Sequence, residues 1–203
     1  MKVAVLGASG RAGSEITREA AARGHNVVAI ARHPDKIEAG DNITVKEGDA
    51  SQPDTVAPSI EGCDAVISAL TFDVSCDDVL SCMRQGGVDR LIVTGGAASL
   101  KDENDVRLID RDDFPDFWRN GAQGGIDFFY ALKEKADDID WVFFSPAFNF
   151  EEGPRTGTFR LGKEHVIRDQ EGKSRISFAD YAIAMVDELE KHEHSQARFT
   201  IGY

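Results

Sequence analysis

The sequence predicts an α/β fold: a doubly wound parallel sheet with helices on both faces and a small C-terminal region beyond it. Three observations lead there. The first half alternates short Val- and Ile-rich runs with helical segments, the pattern of parallel strands covered on both sides. Three glycines, Gly7, Gly10 and Gly13, stand at fixed spacing directly behind the first apolar run. The chain has 203 residues, 41% of them hydrophobic, which suits one domain with a substantial core.

Each element has its own signal. "KVAVLG" (2–7) is an apolar run ended by glycine, a buried strand, and "GRAGSEITREAAARG" (10–24) continues as a helix that Gly24 stops. "HNVVAIAR" (25–32) is the second strand, followed by a short helical turn over 33–40. "NITVKEGD" (42–49) alternates apolar and polar residues as a third strand, and "PDTVAPSI" (53–60) makes a short helix. "CDAVISAL" (63–70) and "DRLIVTGG" (89–96) are the fourth and fifth strands, with a helix at 77–86 between them. Residues 97–115 are rich in charge and poor in apolar positions, so they form a long excursion, suited either to a substrate lid or to a docking surface.

The second half is less regular. A helix falls within 114–135, where glycines 121, 124 and 125 are expected to interrupt it. "DIDWVFFSPA" (138–147) is a sixth strand, 149–162 reads as loop and hairpin, and 177–194 is an amphipathic helix capped near Ser177 or Asp180. "ARFTIGY" (197–203) closes the chain as a last strand. No repeat, linker or low-complexity segment divides the chain, so a single domain over 1–203 is expected.

Charge narrows the partners. The formal net charge is -13. A surface that acidic repels phosphate backbones and anionic lipid, which argues against nucleic acid and membrane. Cys63, Cys76 and Cys82 are an odd number without metal-type spacing and read as reduced thiols. The first apolar run is too short for a signal peptide, and no run approaches the roughly 20 apolar residues of a membrane helix. A cytoplasmic protein, monomeric or homodimeric, is expected.

The opening motif carries the chemistry. A glycine inside a helix costs roughly 1 kcal/mol relative to alanine, so three of them need a reason. Between a strand and a helix each has one. Gly7 permits the tight turn, Gly10 lets the backbone approach a diphosphate, and Gly13 lets helix pack close to strand. The helix N-terminus offers free N–H groups and a positive dipole end. This is the Rossmann pattern, with Ser9, Gly10, Arg11, Ala12 and Gly13 around the diphosphate. NAD sites commonly place a carboxylate at the end of the second strand, whereas here that strand ends in Ala31, Arg32 and His33. Arg32 and Arg11 suit the 2′-phosphate of NADP(H), which is therefore preferred over NAD(H); Arg32 as a solvated loop residue is the alternative.

Ligands of such sheets lie beyond the carboxyl ends of the strands. That puts Asp49 and Ala50 beside the adenine, and Ala69, Leu70 and Thr71 along the ribose and diphosphate. Thr94 and Gly95 fall near the nicotinamide half, and Ser145, Pro146 and Ala147 near its carboxamide. Asp49 is equally suited to cap the next helix. His165 reads as a loop histidine and His192 and His194 as surface residues, so no metal site is expected.

These stretches together resemble the atypical short-chain dehydrogenase/reductases, in their small NAD(P)H-binding branch that is NADH-flavin reductase-like or NmrA-like. The resemblance rests on "VLGASGRAGSEI", "GDA", "LIVTGGAAS", "DWVFFSPA", "RTGTFRLG", "SRISFADYAIAMVDELE" and "RFTIGY" and covers nearly the whole chain. It implies a Rossmann fold with a modest C-terminal substrate region, and reduction of flavin, quinone or related acceptors. Classical members of the superfamily carry a Tyr-x-x-x-Lys pair. Here Glu134 stands four residues after Tyr130, Met185 four after Tyr181, and Tyr203 ends the chain, so the pair is absent.

An acceptor that needs positioning more than acid–base catalysis fits that absence, because hydride transfer is the cofactor's own chemistry. The expectation is an NADPH-dependent reductase of a flavin, quinone or similar conjugated acceptor. Thr94 and Ser99 are the candidate catalytic hydroxyls. Trp118, Phe148 and Phe150 are candidate walls for the acceptor, each alone equally consistent with ordinary packing. The same absence also fits a second reading, an NADP(H)-sensing regulatory protein that binds a partner without turnover.

Overall fold

In the computed structural model, which describes residues 1–203, eight strands form one sheet. In chain order the elements are β1 (Lys2–Leu6), α1 (Arg11–Ala22), β2 (Asn26–Ala31), β3 (Ile43–Glu47), α2 (Pro53–Ile60), β4 (Ala65–Ser68), α3 (Cys76–Gly86) and β5 (Arg90–Thr94). Then come α4 (Arg119–Lys135), β6 (Asp140–Ser145), β7 (Asn149–Glu151), β8 (Arg160–Gly162), β9 (Arg175–Ser177), α5 (Phe178–Lys191) and β10 (Ala197–Gly202). The sheet order is β3-β2-β1-β4-β5-β6-β10-β8, and every pairing is parallel except β10 with β8.

That order gives the Rossmann-type doubly wound sheet the sequence predicts. The chain winds outward from β1 to β3, returns to β4, and winds the other way. The reversal lies between β1 and β4, where such sheets open a crevice at their carboxyl ends.

The core has two layers because successive strand residues face opposite sides. In β1, Ala4 and Leu6 join the face covered by α2, α3 and α4, while Val3 and Val5 join the face under α1 and α5. Both layers are dominated by side chains with almost no exposure. Each Val, Leu, Ile or Phe so buried contributes about 1.5–3 kcal/mol of transfer free energy.

The second half departs from the sequence reading in three places. Residues 149–162 contain no hairpin: β7 pairs in parallel with β9, and β8 adds to the main sheet beside β10. The helix α4 runs unbroken through its glycines. A Cβ at Gly125 would lie 2.8 Å from the Phe72 ring, and one at Gly124 would lie 3.3 Å from Phe72. These glycines let Phe72 approach the helix rather than break it. The 97–115 excursion has a small core of its own, with Leu100, Leu108, Ile109 and Phe114 buried against Ile126 of α4.

Candidate cofactor and acceptor site

The glycine turn is built as a cradle. Gly7 adopts φ +77°, a left-handed conformation that favours glycine. Its N–H and that of Ala8 both donate to the Ile30 carbonyl, at 3.0 and 3.1 Å, which ties the turn to β2. A Cβ at Gly13 would stand 2.1 Å from the Gly7 carbonyl oxygen, so α1 seats directly on the turn. Gly10 is the N-cap of α1. No side chain caps that end, and no acidic residue lies in its first turn. By contrast, Ser75 caps α3 and Ser177 caps α5 through side-chain hydrogen bonds. α1, which starts at the crevice, thus keeps its N–H groups and positive dipole end available to an anion.

Beside the turn lies a cavity of about 220 Å³ lined by Gly7, Ser9, Gly10, Arg32, Asp49, Ala50, Ala69, Leu70 and Thr71, together with Ala31 and Asp73. Four separate strand ends bring these residues together. Asp49 also organises its own turn: its Oδ1 accepts from the Ser51 N–H at 3.0 Å and from the Ser51 hydroxyl at 2.8 Å. Those bonds hold its carboxyl below the usual range. The Thr71 hydroxyl donates to Asp73. Arg11 does not join Arg32. Its guanidinium lies 5.4 Å from the Phe178 ring centroid, on the α5 side of the turn. Ala12 packs partly buried on the same side.

A second cavity, of about 340 Å³, opens at the carboxyl ends of β4, β5 and β6. Its walls are Phe72, Phe114, Phe117, Trp118 and Phe148, with Gly96–Ser99 from the end of β5 and the first turns of α4. Trp118 packs against Phe148 at 5.7 Å, and Phe114 meets Phe148 edge-on at 6.0 Å. Phe150 turns away, onto Phe178 at 4.5 Å and Tyr181 at 4.6 Å, and belongs to the packing under α5. Phe72, Phe114 and Phe117 escaped the sequence reading. Phe72 lies only two residues beyond "SAL", and the other two flank Trp118 in "FPDFW", so proximity to a strand end was the available signal.

Thr94 and Ser145 end β5 and β6. The Ser145 hydroxyl oxygen is buried without a hydrogen-bond partner, a rare state for a buried polar atom, whereas the Thr94 hydroxyl faces that of Tyr181. Gly95 is locked in place: its N–H donates to the Phe144 carbonyl at 2.8 Å, and a Cβ there would lie 2.5 Å from the Phe143 ring. Pro146 and Ala147 are buried directly after Ser145. Ser99 lines the aromatic cavity, and its hydroxyl accepts a 2.7 Å bond from Arg198.

No tyrosine lines that cavity. Tyr181 is fully buried, stacked on Phe144 at 4.4 Å, and donates to the Phe144 carbonyl at 2.6 Å. Burial pushes its hydroxyl above the ordinary tyrosine range. Tyr203 bonds Ser177 and Asp180, and Tyr130 is half exposed on α4. His194, expected at the surface, instead stacks on Phe199 at 4.3 Å and bonds Glu188 at 2.6 Å. No cluster of three or more His, Cys, Asp or Glu side chains could hold a metal, and no helix is long and apolar enough to cross a membrane.

The family model described as NAD(P)H-binding matches residues 7–189. The chain belongs to this NAD(P)H-binding family. Among its relatives is YwnB of Bacillus subtilis, an uncharacterised protein 38% identical to it, with 99% of this chain and 98% of YwnB aligned. A Bacteroides thetaiotaomicron family protein, provisionally named an epimerase, is 42% identical with a TM-score of 0.92, covering 100% of this chain and 96% of its own. A Streptococcus pneumoniae protein, provisionally named an NADH-flavin reductase, is 35% identical with a TM-score of 0.87, covering 100% of this chain and 99% of its own.

The glycine cradle, the uncapped α1 and the orphaned Ser145 hydroxyl fit a pyridine dinucleotide lying across the carboxyl ends of β2, β1, β4, β5 and β6.

Proposed function

We propose that this chain is an NADPH-dependent reductase that delivers hydride to a flavin, quinone or similar conjugated acceptor. The observation that carries the reading is the aromatic-walled cavity beyond β4, β5 and β6, beside the dinucleotide cradle and without a tyrosine–lysine pair. A planar ring is the ligand that five aromatic side chains accommodate best. The name given to the Streptococcus relative points the same way. Epimerisation, the name given to the Bacteroides relative, needs a general acid–base group beside the reacting carbon, and no titratable side chain lines this cavity.

The dinucleotide supplies the hydride. Gly7, Gly10, Gly13 and the first N–H groups of α1 hold its diphosphate, and Arg32 binds the 2′-phosphate. Asp49 and Ala50 border the adenine, and Ala69 to Thr71 border the ribose. The Thr94 and Ser145 hydroxyls, with the backbone of Pro146 and Ala147, orient the nicotinamide end. Trp118, Phe148, Phe72 and Phe114 wall the acceptor. Ser99 donates a hydrogen bond to the acceptor as negative charge develops there, and the proton that completes the reduction comes from solvent.

The cavity's volume favours this reading over a sensor without turnover, which has no need of a ring-sized chamber. The three cysteines, all buried and unpaired, accord with a reducing cytoplasm. Steady-state NADPH oxidation with FMN, riboflavin and several quinones tests the proposal. Turnover above background with at least one planar acceptor is expected, and background rates across the panel would end it.

A further inference from the structure

The chain carries fourteen arginines against 36 carboxylates, and ten of the arginines form ion pairs. The four that do not are Arg11, Arg32, Arg160 and Arg168. Arg11 and Arg32 flank the dinucleotide cradle. Arg160 is engaged by two carbonyls, those of Arg168 and Tyr203. Arg168 is left, and it lines a cavity of about 320 Å³ that shares Phe114 and Phe148 with the aromatic chamber.

The surroundings of Arg168 are pre-organised. Its carbonyl is held by Arg160 at 2.5 Å, and its own Nη1 donates to the Gly172 carbonyl at 2.9 Å. Asp169 closes the turn by accepting from the N–H groups of Glu171 and Lys173, each at 2.9 Å. Asp113 of the same cavity feels the Arg168 charge, but its ion pair is made with Arg111 and not with Arg168. Arg111 binds Asp113 and Asp102, and Lys173 binds Glu171. Arg168 therefore presents the cavity's one guanidinium with no carboxylate partner and most of its five donors unused. In so acidic a protein, a guanidinium left without an ion pair next to an aromatic chamber is suited to an anion carried by the ring.

We infer that this second cavity is an anion subsite of the acceptor site: the acceptor is a planar ring bearing a phosphate tail, as in FMN, with the ring in the aromatic-walled chamber and the phosphate on Arg168. The inference rests on the reductase reading and names its substrate class. A guanidinium–phosphate contact at a partly exposed site accounts for about a tenfold affinity difference.

FMN and riboflavin share one ring and differ by the phosphate, so they isolate the subsite. Their dissociation constants can be measured by quenching of flavin fluorescence in the presence of NADP+, for wild type and Arg168→Gln. Wild type is expected to bind FMN about tenfold more tightly than riboflavin. The exposed Arg168→Gln change should bring that ratio close to one while leaving riboflavin affinity unchanged. Equal affinities in wild type, a ratio the variant does not move, or no binding of either flavin would each overturn the inference. NADPH oxidation by an uncharged naphthoquinone, measured alongside, separates the two claims: its persistence leaves the reductase reading standing when the phosphate preference fails.

Discussion

Arg198 of β10 donates its Nη1 to the hydroxyl of Ser99 at 2.7 Å, and both side chains are almost wholly buried. The same guanidinium lies 4.6 Å from the Phe129 ring centroid and pairs with Glu164. Because Ser99 accepts from Arg198, its own O–H is free to donate, and Ser99 lines the aromatic chamber. The arginine thus fixes which way the hydroxyl points. Ser99→Ala is expected to lower kcat for NADPH oxidation about tenfold with little change in acceptor KM, as for a contact made mainly in the transition state. It also leaves one buried Arg198 donor unmet, which costs about 1–3 kcal/mol in urea unfolding. Ser99→Thr keeps the hydroxyl and should restore most of kcat. A purely structural serine would lose stability in Ser99→Ala without the selective fall in kcat.

The glycines of the first turn are expected to differ sharply from those of α4. In Gly13→Ala the new methyl meets the Gly7 carbonyl oxygen at 2.1 Å. That contact is backbone and cannot rotate away, so the variant should lose about 1–3 kcal/mol of stability and its dinucleotide binding by calorimetry. In Gly121→Ala nothing lies within 4 Å of the added Cβ. That change should stabilise α4 by about 0.5 kcal/mol and leave NADPH binding intact. Equal behaviour of the two variants would contradict the close seating of α1 on its turn.

This contrast also marks how far the sequence was readable. The strands from β1 to β6 could be placed because each is a Val- or Ile-rich run bounded by glycine or a charged turn, a local signal. The glycine cradle and the strand-end residues of the cavity beside it followed from that placement alone. β7 and β9 could not be found so. Each has three residues, and they pair Asn149 with Arg175 across a long separation. The α4 glycines misled because their reason, the Phe72 ring, lies outside the helix. Phe72, Phe114 and the Arg198–Ser99 bond are likewise tertiary facts. Periodicity reports which face is apolar, not which distant side chain meets it.

Cofactor preference is expected to depend on Arg32 and not on Arg11. Arg32 lines the adenine cavity beside Asp49, whereas Arg11 rests on Phe178 at the other side of the turn. Arg32→Ala should weaken NADPH binding about tenfold or more while NADH binding stays within about twofold, since one charge-assisted contact is removed. Arg11→Ala should leave the NADPH-to-NADH ratio unchanged. Titration of both variants with both nucleotides checks this directly. An unaltered ratio in Arg32→Ala would remove that arginine from the 2′-phosphate site.

The cysteines give a prediction about alkaline pH. Cys76 and Cys82 are buried in the layer under α2, α3 and α4. Burial pushes the Cys76 thiol up to about 12 and that of Cys82 to about 11. In the unfolded chain these thiols ionise near their ordinary value of about 8.5. Above that pH the unfolded state has released protons that the native state retains. Proton release then favours unfolding, and stability falls as pH rises through about 9 and toward 11. The Cys76→Ser and Cys82→Ala double variant should show a shallower alkaline loss of stability than wild type in urea unfolding at pH 7, 9 and 10. At neutral pH the same protonated, buried thiols should resist iodoacetamide until the protein unfolds, so that labelling tracks unfolding. Rapid alkylation of Cys76 in the native protein would show that its thiolate is accessible and would refute this account.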